Sequence, residues 1–359
     1  MRVATAVLLL LLATPIVAAV PLDAAVEAAE RNGFTGVVAL GDAKSLRYER
    51  AVGFADRERR RPHRLDERWP WASVSKQATA VLVMQEVERK RLTLDTTVRS
   101  VLKDFPRGDV TIRQLLQHTA GLANPADTAT GADGVPAFYR ERGAKIGDAA
   151  RARGYCASGP TGATAGTFRY NNCDYLVLGA VLERLNNDRY ANLVRTRIAE
   201  PSGARTLRVA RDGEAPAAAD PLGYEDATKR SPPINVATLG AAGALIGTTR
   251  DVLAFDRALM NRRLLSSASM EVLWRGDPEL GDQALGVWAF VARLPGCGEP
   301  VRVVERYGDV AGTQVRNVIA PDLGLALVVF TNDASVDFGE IRRGKGLSYD
   351  LLGAAFCAK

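Results

Sequence analysis

The sequence predicts an α+β fold in which an antiparallel sheet is flanked by helices and a mainly helical segment is inserted between its two halves. Two observations support this prediction. Strand-like runs lie towards the two ends of the chain, and the residues between them favour helices and long loops. A sheet assembled from both ends, with the helical middle inserted, is the arrangement that fits this order best.

The N-terminal part of this fold should supply a helix and a hairpin. Residues 23–32 are predicted to be helical. The runs FTGVVAL (34–40) and LRYERAVGF (46–54) predict two strands joined by a turn at Gly41 and Asp42. The basic segment RERRRPHR (57–64) follows, and we expect it to be a solvated loop, with attraction to an anionic envelope surface as the alternative.

The middle of the chain should be mainly helical. WPWASVSKQATAVLVM (69–84) predicts a helix that is apolar on most sides and therefore buried. A second helix runs through 111–118, long loops with one or two short helices cover 123–168, and NCDYLVLGAVLERLN (172–186) is again helical. The Pro- and Ala-rich segment 213–235 crosses back towards the sheet.

The C-terminal part should complete the sheet. The glycines of GAAGALIG (240–247) have the wrong spacing for phosphate binding and suit close helix packing. The predicted elements that follow are a helix at 248–261, strands at 285–294, 301–308, 315–321 and 323–332, and a closing helix at about 345–356.

The first nineteen residues, MRVATAVLLLLLATPIVAA, predict a cleaved secretory signal peptide. The alternative is a membrane anchor, but the apolar run is short for a span and no second one follows. We therefore expect a periplasmic or secreted protein with no membrane span in its mature part, residues 20–359. Within it, 20–118 and 236–359 should form the α/β part and 119–235 the helical and loop insert.

Charge and cysteine content narrow the classes of function. The formal net charge is +6, and an exported protein rarely meets nucleic acid, so we expect no nucleic-acid partner. Four cysteines with no C-x-x-C spacing argue against a zinc site, and neither metal nor cofactor is predicted. The cysteines allow three disulfide connectivities. We favour Cys156–Cys173 and Cys297–Cys357, because each pair lies within one apparent structural region.

Ser73 and Lys76 are the first candidates for catalysis. Residues at i and i+3 share a helix face, so the hydroxyl and the amine can touch. Burial lowers the pKa of a lysine, and a neutral amine beside a hydroxyl can activate it as a nucleophile. The alternative is that Ser73 or Ser75 caps the helix and Lys76 reaches water.

Tyr170 and Asn172, in RYNNCDYLVLG, are candidates for a second proton-transferring group beside this pair. A nearby cationic lysine would favour the phenolate of the tyrosine. Taken alone, the two residues equally suit a surface tyrosine and a helix cap. Of the two histidines, we expect His63 to be exposed and His118 to cap or buttress a helix end.

In combination, SVSK, LLQHTAGL, YNN and the late G-D-V-A-G turn resemble the β-lactamase-related serine hydrolases, the family of class C β-lactamases, penicillin-binding DD-peptidases and esterase relatives. The resemblance covers about residues 33–357 and implies the β-lactamase/transpeptidase-like fold. It implies that Ser73 is acylated, that Lys76 activates it and that Tyr170 is the general acid/base. Asn172 would orient the substrate and the lysine.

The third element of the family pattern is altered in this chain. Family members usually carry Lys-Thr-Gly or His-x-Gly there, whereas alignment of the following turn places Arg306-Tyr307-Gly308. Gly308 would let the strand approach closely, and the backbone N–H groups of Ser73 and Asp309 would form the oxyanion hole. Asp309 places an anion near the expected position of a substrate carboxylate, so neutral esters should be better substrates than penicillins.

These observations predict an exported serine hydrolase that cleaves a small-molecule or peptide amide or ester through an acyl-enzyme on Ser73. The alternative is a non-catalytic envelope protein of the same fold that binds peptidoglycan fragments or a protein partner, an alternative favoured by the irregular Arg306-Tyr307-Gly308. The sequence does not define the oligomeric state.

Overall fold

The computed structural model describes residues 21–357 except Gly108 and Pro160, so the predicted signal peptide lies outside the described residues. The strands are β1 Gly36–Asp42, β2 Leu46–Val52, β3 Phe54–Asp56, β4 Arg61–Pro62, β5 Trp69–Pro70, β6 Arg208–Val209, β7 Leu245–Gly247, β8 Trp288–Ala292, β9 Val301–Val310, β10 Thr313–Ala320 and β11 Leu325–Thr331. The helices are α1 Leu22–Arg31, α2 Ser75–Glu88, α3 Val98–Val101, α4 Ile112–Leu116, α5 Asp148–Arg153, α6 Tyr155–Ser158, α7 Asn172–Asn186, α8 Tyr190–Val194, α9 Glu200–Ser202, α10 Gly240–Gly243, α11 Thr249–Met260, α12 Ser267–Leu273 and α13 Leu347–Phe356.

Strands from both ends of the chain join into one antiparallel sheet with the order β2-β1-β11-β10-β9-β8. The N-terminal hairpin is linked to the C-terminal meander by the pairing of β1 with β11, from Gly36 opposite Thr331 to Asp42 opposite Leu325. Helices lie on both sides of the sheet. This arrangement confirms the predicted α+β fold.

The two faces of the sheet bury two separate cores. Because successive side chains of a strand point to opposite faces, Val37 and Ala39 enter the larger core while Val38 enters the smaller one. The larger core packs the sheet against α2, α7 and α11, and the smaller core packs it against α1 and α13. Helix α2 is buried on most sides, as its sequence predicts, and brings the segment after Ser73 into the centre of the molecule.

Several local features differ from the sequence predictions. The turn of the first hairpin follows Asp42 rather than containing it, because the Asp42 carboxylate accepts hydrogen bonds from the N–H groups of Lys44 and Ser45, both at 2.7 Å. Helices α8 and α12 and the small sheet of β5, β7 and β6 were not predicted. Their strands have two or three residues each, too few to show a periodic pattern.

His63 is buried, so the prediction that it is exposed is wrong. Its Nδ1 lies 2.7 Å from Glu67 Oε2 and its Nε2 lies 3.1 Å from Asn332 Oδ1. Most of the surrounding basic segment is at the surface, although Arg57 pairs with Asp333 at 2.5 Å. A sequence pattern cannot show this burial, because the partner Asn332 comes from the other end of the chain.

The structure brings both favoured cysteine pairs to disulfide distance. Cys156 and Cys173, with Cα atoms 5.3 Å apart, connect α6 to the start of α7. Cys297 and Cys357, with Cα atoms 4.8 Å apart, connect the β8–β9 turn to the end of α13. Among the described residues, no helix is both long and apolar enough to cross a membrane.

Asp256 should make stability depend on pH. It is buried in α11 and accepts a hydrogen bond from Asn317 Nδ2 at 2.9 Å, and burial raises its pKa from 3.8 to about 7. The folded protein therefore keeps a proton that the unfolded chain loses above about pH 4, so stability falls as the pH rises to about 7. Asp256→Asn should remove this slope and stabilise the protein at pH 8 by up to ~4 kcal/mol.

Urea unfolding of both proteins from pH 4 to pH 8 measures the effect. The exposed Asp322 supplies a matched control, because Asp322→Asn changes the same functional group without a buried partner. The interpretation is wrong if wild type and Asp256→Asn lose stability in parallel over this range.

Candidate active site

Ser73 lies on a short 3₁₀ turn, Ala72–Val74, which leads directly into α2. Ala72 has a φ of 46°, a left-handed conformation that costs a residue with a side chain about 1 kcal/mol or more. The turn is anchored by the Trp71 N–H, which donates to the Leu245 carbonyl at 2.8 Å. This conformation leaves Ser73 partly exposed while both of its neighbours are buried.

Lys76 is fully buried one turn after Ser73, as the spacing predicts. Its Nζ lies 3.2 Å from Ser73 Oγ, 2.8 Å from Asn172 Oδ1 and 2.7 Å from the carbonyl oxygen of Ala242. Burial, followed by the charge of Arg306, holds the pKa of Lys76 well below its usual value. In the neutral amine, two N–H groups can donate to Asn172 and Ala242 while the lone pair faces the Ser73 hydroxyl.

Tyr170 contacts the same hydroxyl from the opposite side. Its phenol oxygen is hydrogen-bonded to Ser73 Oγ and accepts a hydrogen bond from Arg306 Nη2 at 2.8 Å. Loss of solvent raises the pKa of Tyr170, and the nearby Arg306 charge only partly opposes this rise. The predicted phenolate is therefore not the favoured form: the Arg306 charge lowers the pKa of Tyr170, but loss of solvent outweighs it and favours the protonated phenol.

Arg306 is turned towards the catalytic residues and is almost completely buried. Its Nε donates to the Ser73 carbonyl oxygen at 3.1 Å, and Nη2 binds Tyr170. The guanidinium lies 4.9 Å from the ring centre of Trp288 and 5.0 Å from that of Tyr170. Among the described residues it forms no ion pair with Asp309.

Gly308 allows β9 to pack closely against the turn that carries Ser73, Ala72–Val74. A Cβ atom at this position would lie 2.5 Å from the Ser73 nitrogen and 2.9 Å from Ala72 Cβ. Only glycine fits such an approach without displacing the backbone. The pairing of β8 with β9 ends at Trp288 and Glu305, so the last part of β9 borders the site without a β8 partner. Asp309, the next residue, is exposed.

These residues form the floor of a cavity of about 670 Å³. Its walls include the aromatic side chains of Tyr139, Phe168, Trp288 and Tyr307. Tyr139 was not predicted from the sequence: its hydroxyl accepts a hydrogen bond from Asn172 Nδ2 at 3.0 Å, and burial raises its pKa to about 12. No local motif marks it, because it lies on a short 3₁₀ turn, Ala137–Arg140, far from Asn172 in sequence.

His118 contacts the segment that carries Tyr170 and holds its main chain by hydrogen bonds. Its carbonyl accepts the Arg169 N–H at 2.9 Å, its Nδ1 accepts the Asn171 N–H at 3.3 Å, and its ring lies 4.6 Å from that of Tyr170. Asp174 Oδ2 lies 3.0 Å from the same Nδ1. Burial lowers the pKa of His118 and raises that of Asp174, so the neutral form of each group is favoured.

The sequence profile of the Beta-lactamase family matches residues 22–347. The chain is 30% identical over 230 residues to a D-aminopeptidase of Cereibacter sphaeroides, covering 63% of this chain and 42% of that protein. It is 34% identical over 201 residues to esterase EstB of Burkholderia gladioli, covering 51% and 50%.

A solved structure of D-amino acid amidase from Ochrobactrum anthropi SV3, complexed with L-phenylalanine amide, superposes with a TM-score of 0.74. Its sequence identity is 19%, with 93% of this chain and 98% of that chain covered, so it supports the fold alone. The chain covers about half the length of the curated relatives it matches. The profile match spans nearly the whole described chain, and the protein belongs to the Beta-lactamase family, whose named members here include a D-aminopeptidase and an esterase.

Proposed function

We propose that this protein is an exported serine hydrolase that cleaves a small amide or ester through an acyl-enzyme on Ser73. One observation carries the proposal: Ser73 Oγ lies within hydrogen-bonding reach of both Lys76 Nζ and the Tyr170 hydroxyl, at the floor of an open cavity. A nucleophile placed between a desolvated amine and a protonated phenol has a base on one side and an acid on the other.

In the proposed acylation, the neutral Lys76 amine takes the proton of Ser73 while Oγ bonds to the carbonyl carbon of the substrate. The negative charge on the carbonyl oxygen is stabilised by the N–H groups of Ser73 and Asp309. Tyr170 then donates its proton to the leaving nitrogen or oxygen as the scissile bond breaks, and the Lys76 ammonium returns a proton to Tyr170. Water attacks the acyl-enzyme in the same way, which releases the acid and restores Ser73.

Arg306 supports the acid step in this proposal. When Tyr170 gives up its proton, negative charge develops on an oxygen that already accepts a hydrogen bond from a guanidinium at 2.8 Å. Because a guanidinium stays charged, this stabilisation is present throughout the cycle. Its rigid position between two aromatic rings requires no rearrangement during the reaction.

The charges at the cavity favour a neutral or cationic substrate. Two nitrogens of the buried Arg306 bind Ser73 and Tyr170, and its third nitrogen, Nη1, is buried without a partner among the described residues. Asp309, in contrast, is exposed and makes no ion pair among the described residues. An anionic substrate therefore meets an exposed carboxylate, while the guanidinium is buried. The names of the curated relatives, an aminopeptidase and an esterase, support the amide or ester class.

Export is supported by the leader-like residues 1–19 and by the two cysteine pairs, because disulfides persist in oxidising compartments.

Labelling by a fluorophosphonate probe should require Ser73 and not Ser75. Ser75 is fully buried, and its Oγ accepts the Leu245 N–H at 3.1 Å, so it faces away from the cavity. Ser73→Ala should lose the probe adduct in intact-mass spectra and reduce ester turnover to background, whereas Ser75→Ala should keep the adduct. A wild-type protein that binds substrates but never forms an adduct would instead favour the non-catalytic envelope protein.

His118 should affect kcat more than KM, because it holds the main chain on both sides of Tyr170. His118→Phe keeps a ring but removes the acceptor for Asn171, and we expect kcat to fall at least about tenfold, which corresponds to ~1.4 kcal/mol. His118→Asn retains an acceptor and tolerates the φ of 60°, so its kcat should fall less. A merely structural role would lower Tm in both variants without separating kcat from KM.

Asp309 should determine how strongly the enzyme discriminates between neutral and anionic substrates. Wild type should turn over short p-nitrophenyl acyl esters with a higher kcat/KM than penicillins. Asp309→Ser should shift the ratio towards penicillins at least about fivefold, since a like charge at ~4 Å costs ~1 kcal/mol even in water. Efficient penicillin hydrolysis by wild type, with esters poorer, would contradict this assignment and indicate that Arg306 replaces the usual lysine.

A further inference from the structure

A second cleft, of about 400 Å³, lies behind the aromatic wall of the active-site cavity. The two cavities share Trp288 and Tyr307, whose rings stack with centres 5.1 Å apart and planes within 4°. The second cleft is also lined by Glu305, Arg316, Ile341 and Ser348. None of these four residues takes part in the proposed hydrolysis.

Arg316 presents an unpaired cation to this cleft. Its guanidinium lies between two rings, 4.6 Å from the centre of Tyr307 and 4.6 Å from that of Phe338. Its side chain makes no hydrogen bond or ion pair with any described residue. Burial lowers the pKa of Arg316, and the nearby negative charge of Glu305 opposes this only in part.

Glu305 presents an unpaired anion to the same cleft. In the register of β9 and β10, Tyr307 is opposite Arg316, which places Glu305 and Asp309 at the two diagonal positions. Neither carboxylate comes within 4.0 Å of the guanidinium. Burial raises the pKa of Glu305, and the charge of Arg316 offsets this only in part. The Glu305 side chain has no hydrogen-bond partner in the described part of the chain.

Some of the other polar side chains at this cleft already have ion-pair partners, whereas one has no hydrogen-bond partner. Arg342 pairs with Asp282 at 3.2 Å, and Glu340 pairs with Arg343 at 2.8 Å. Ser348 is buried, with only 5% of its surface exposed, and its hydroxyl has no partner among the described residues. A cation, an anion and a hydroxyl around one small space are thus left without a hydrogen bond or a close ion pair among the described residues.

We propose that this cleft binds a small zwitterion of the free α-amino acid class. Its carboxylate binds Arg316, its ammonium group binds Glu305, and the Ser348 hydroxyl supplies a further hydrogen bond. A ligand with one charge would leave the opposite side chain unpaired, so both charges are required. The stacked Trp288 and Tyr307 form the wall between this ligand and Arg306, which lies 4.9 Å from the Trp288 ring.

Calorimetric titration of the full-length protein with alanine tests the proposal, with acetate and methylamine as single-charge probes. Wild type should bind one alanine saturably in the millimolar range, and each single-charge probe should bind at least about tenfold more weakly. Arg316→Gln and Glu305→Gln should each weaken alanine binding at least about tenfold. Labelling of Ser73 by the fluorophosphonate probe should persist in both variants and report that they are folded.

Binding of alanine to labelled protein distinguishes this cleft from the active site. Protein whose Ser73 already carries the probe has an occupied cavity, yet it should bind alanine as wild type does. Loss of binding after labelling, with binding retained in Arg316→Gln, would place alanine in the active site and overturn the proposal. Absence of saturable binding up to about 20 mM would also overturn it. Failure of Ser73 labelling in wild type would refute the proposed hydrolysis, but the alanine titration would still test binding to this cleft.

Discussion

The rest of the site depends on the burial of one amine. Lys76 Nζ has no contact with solvent, and its three neighbours are Ser73 Oγ, Asn172 Oδ1 and the Ala242 carbonyl. An ammonium ion in such a position is disfavoured, so the folded state favours the neutral amine that a base requires. The fold supplies the two acceptors that position the amine, and neither acceptor is an anion that would stabilise the ammonium form.

This arrangement requires three helices that are far apart in the sequence to meet. Lys76 comes from α2, Asn172 from the first residue of α7 and Ala242 from α10. Thr79, one turn after Lys76, donates to the Ala241 carbonyl at 2.7 Å and so ties α2 to α10 a second time. The α10 segment carries glycines because a Cβ at Gly240 would lie 2.0 Å from Asp148 Oδ1. The predicted close packing of this segment is therefore what brings the Ala242 carbonyl to the amine.

Local sequence patterns predicted those features that depend on residues close together in the chain. The spacing of Ser73 and Lys76 defines their contact, and the apolar run after them defines the burial of α2. Tyr170 and Asn172 required the family resemblance, because nothing local relates them to residue 73. Asp174, Tyr139 and the burial of His63 escaped prediction, since each depends on a partner that only the folded chain brings near. The pKa direction of Tyr170 was wrong because desolvation outweighs the neighbouring charge.

The alternation of side chains along β9 explains the role of Arg306 in the altered segment Arg306-Tyr307-Gly308. Arg306 and Gly308 are buried against the turn that carries Ser73, whereas Tyr307 and Asp309 are exposed and line the active-site cavity. A guanidinium presents donors in a fixed plane, and here two of its nitrogens bind Ser73 O and Tyr170 OH while aromatic rings lie close to it. Lysine has one nitrogen and could not make both contacts in the same geometry. Arginine at this position therefore fixes the cation on the catalytic tyrosine and withdraws it from the substrate, and Asp309 is left as the open charge beside the cavity.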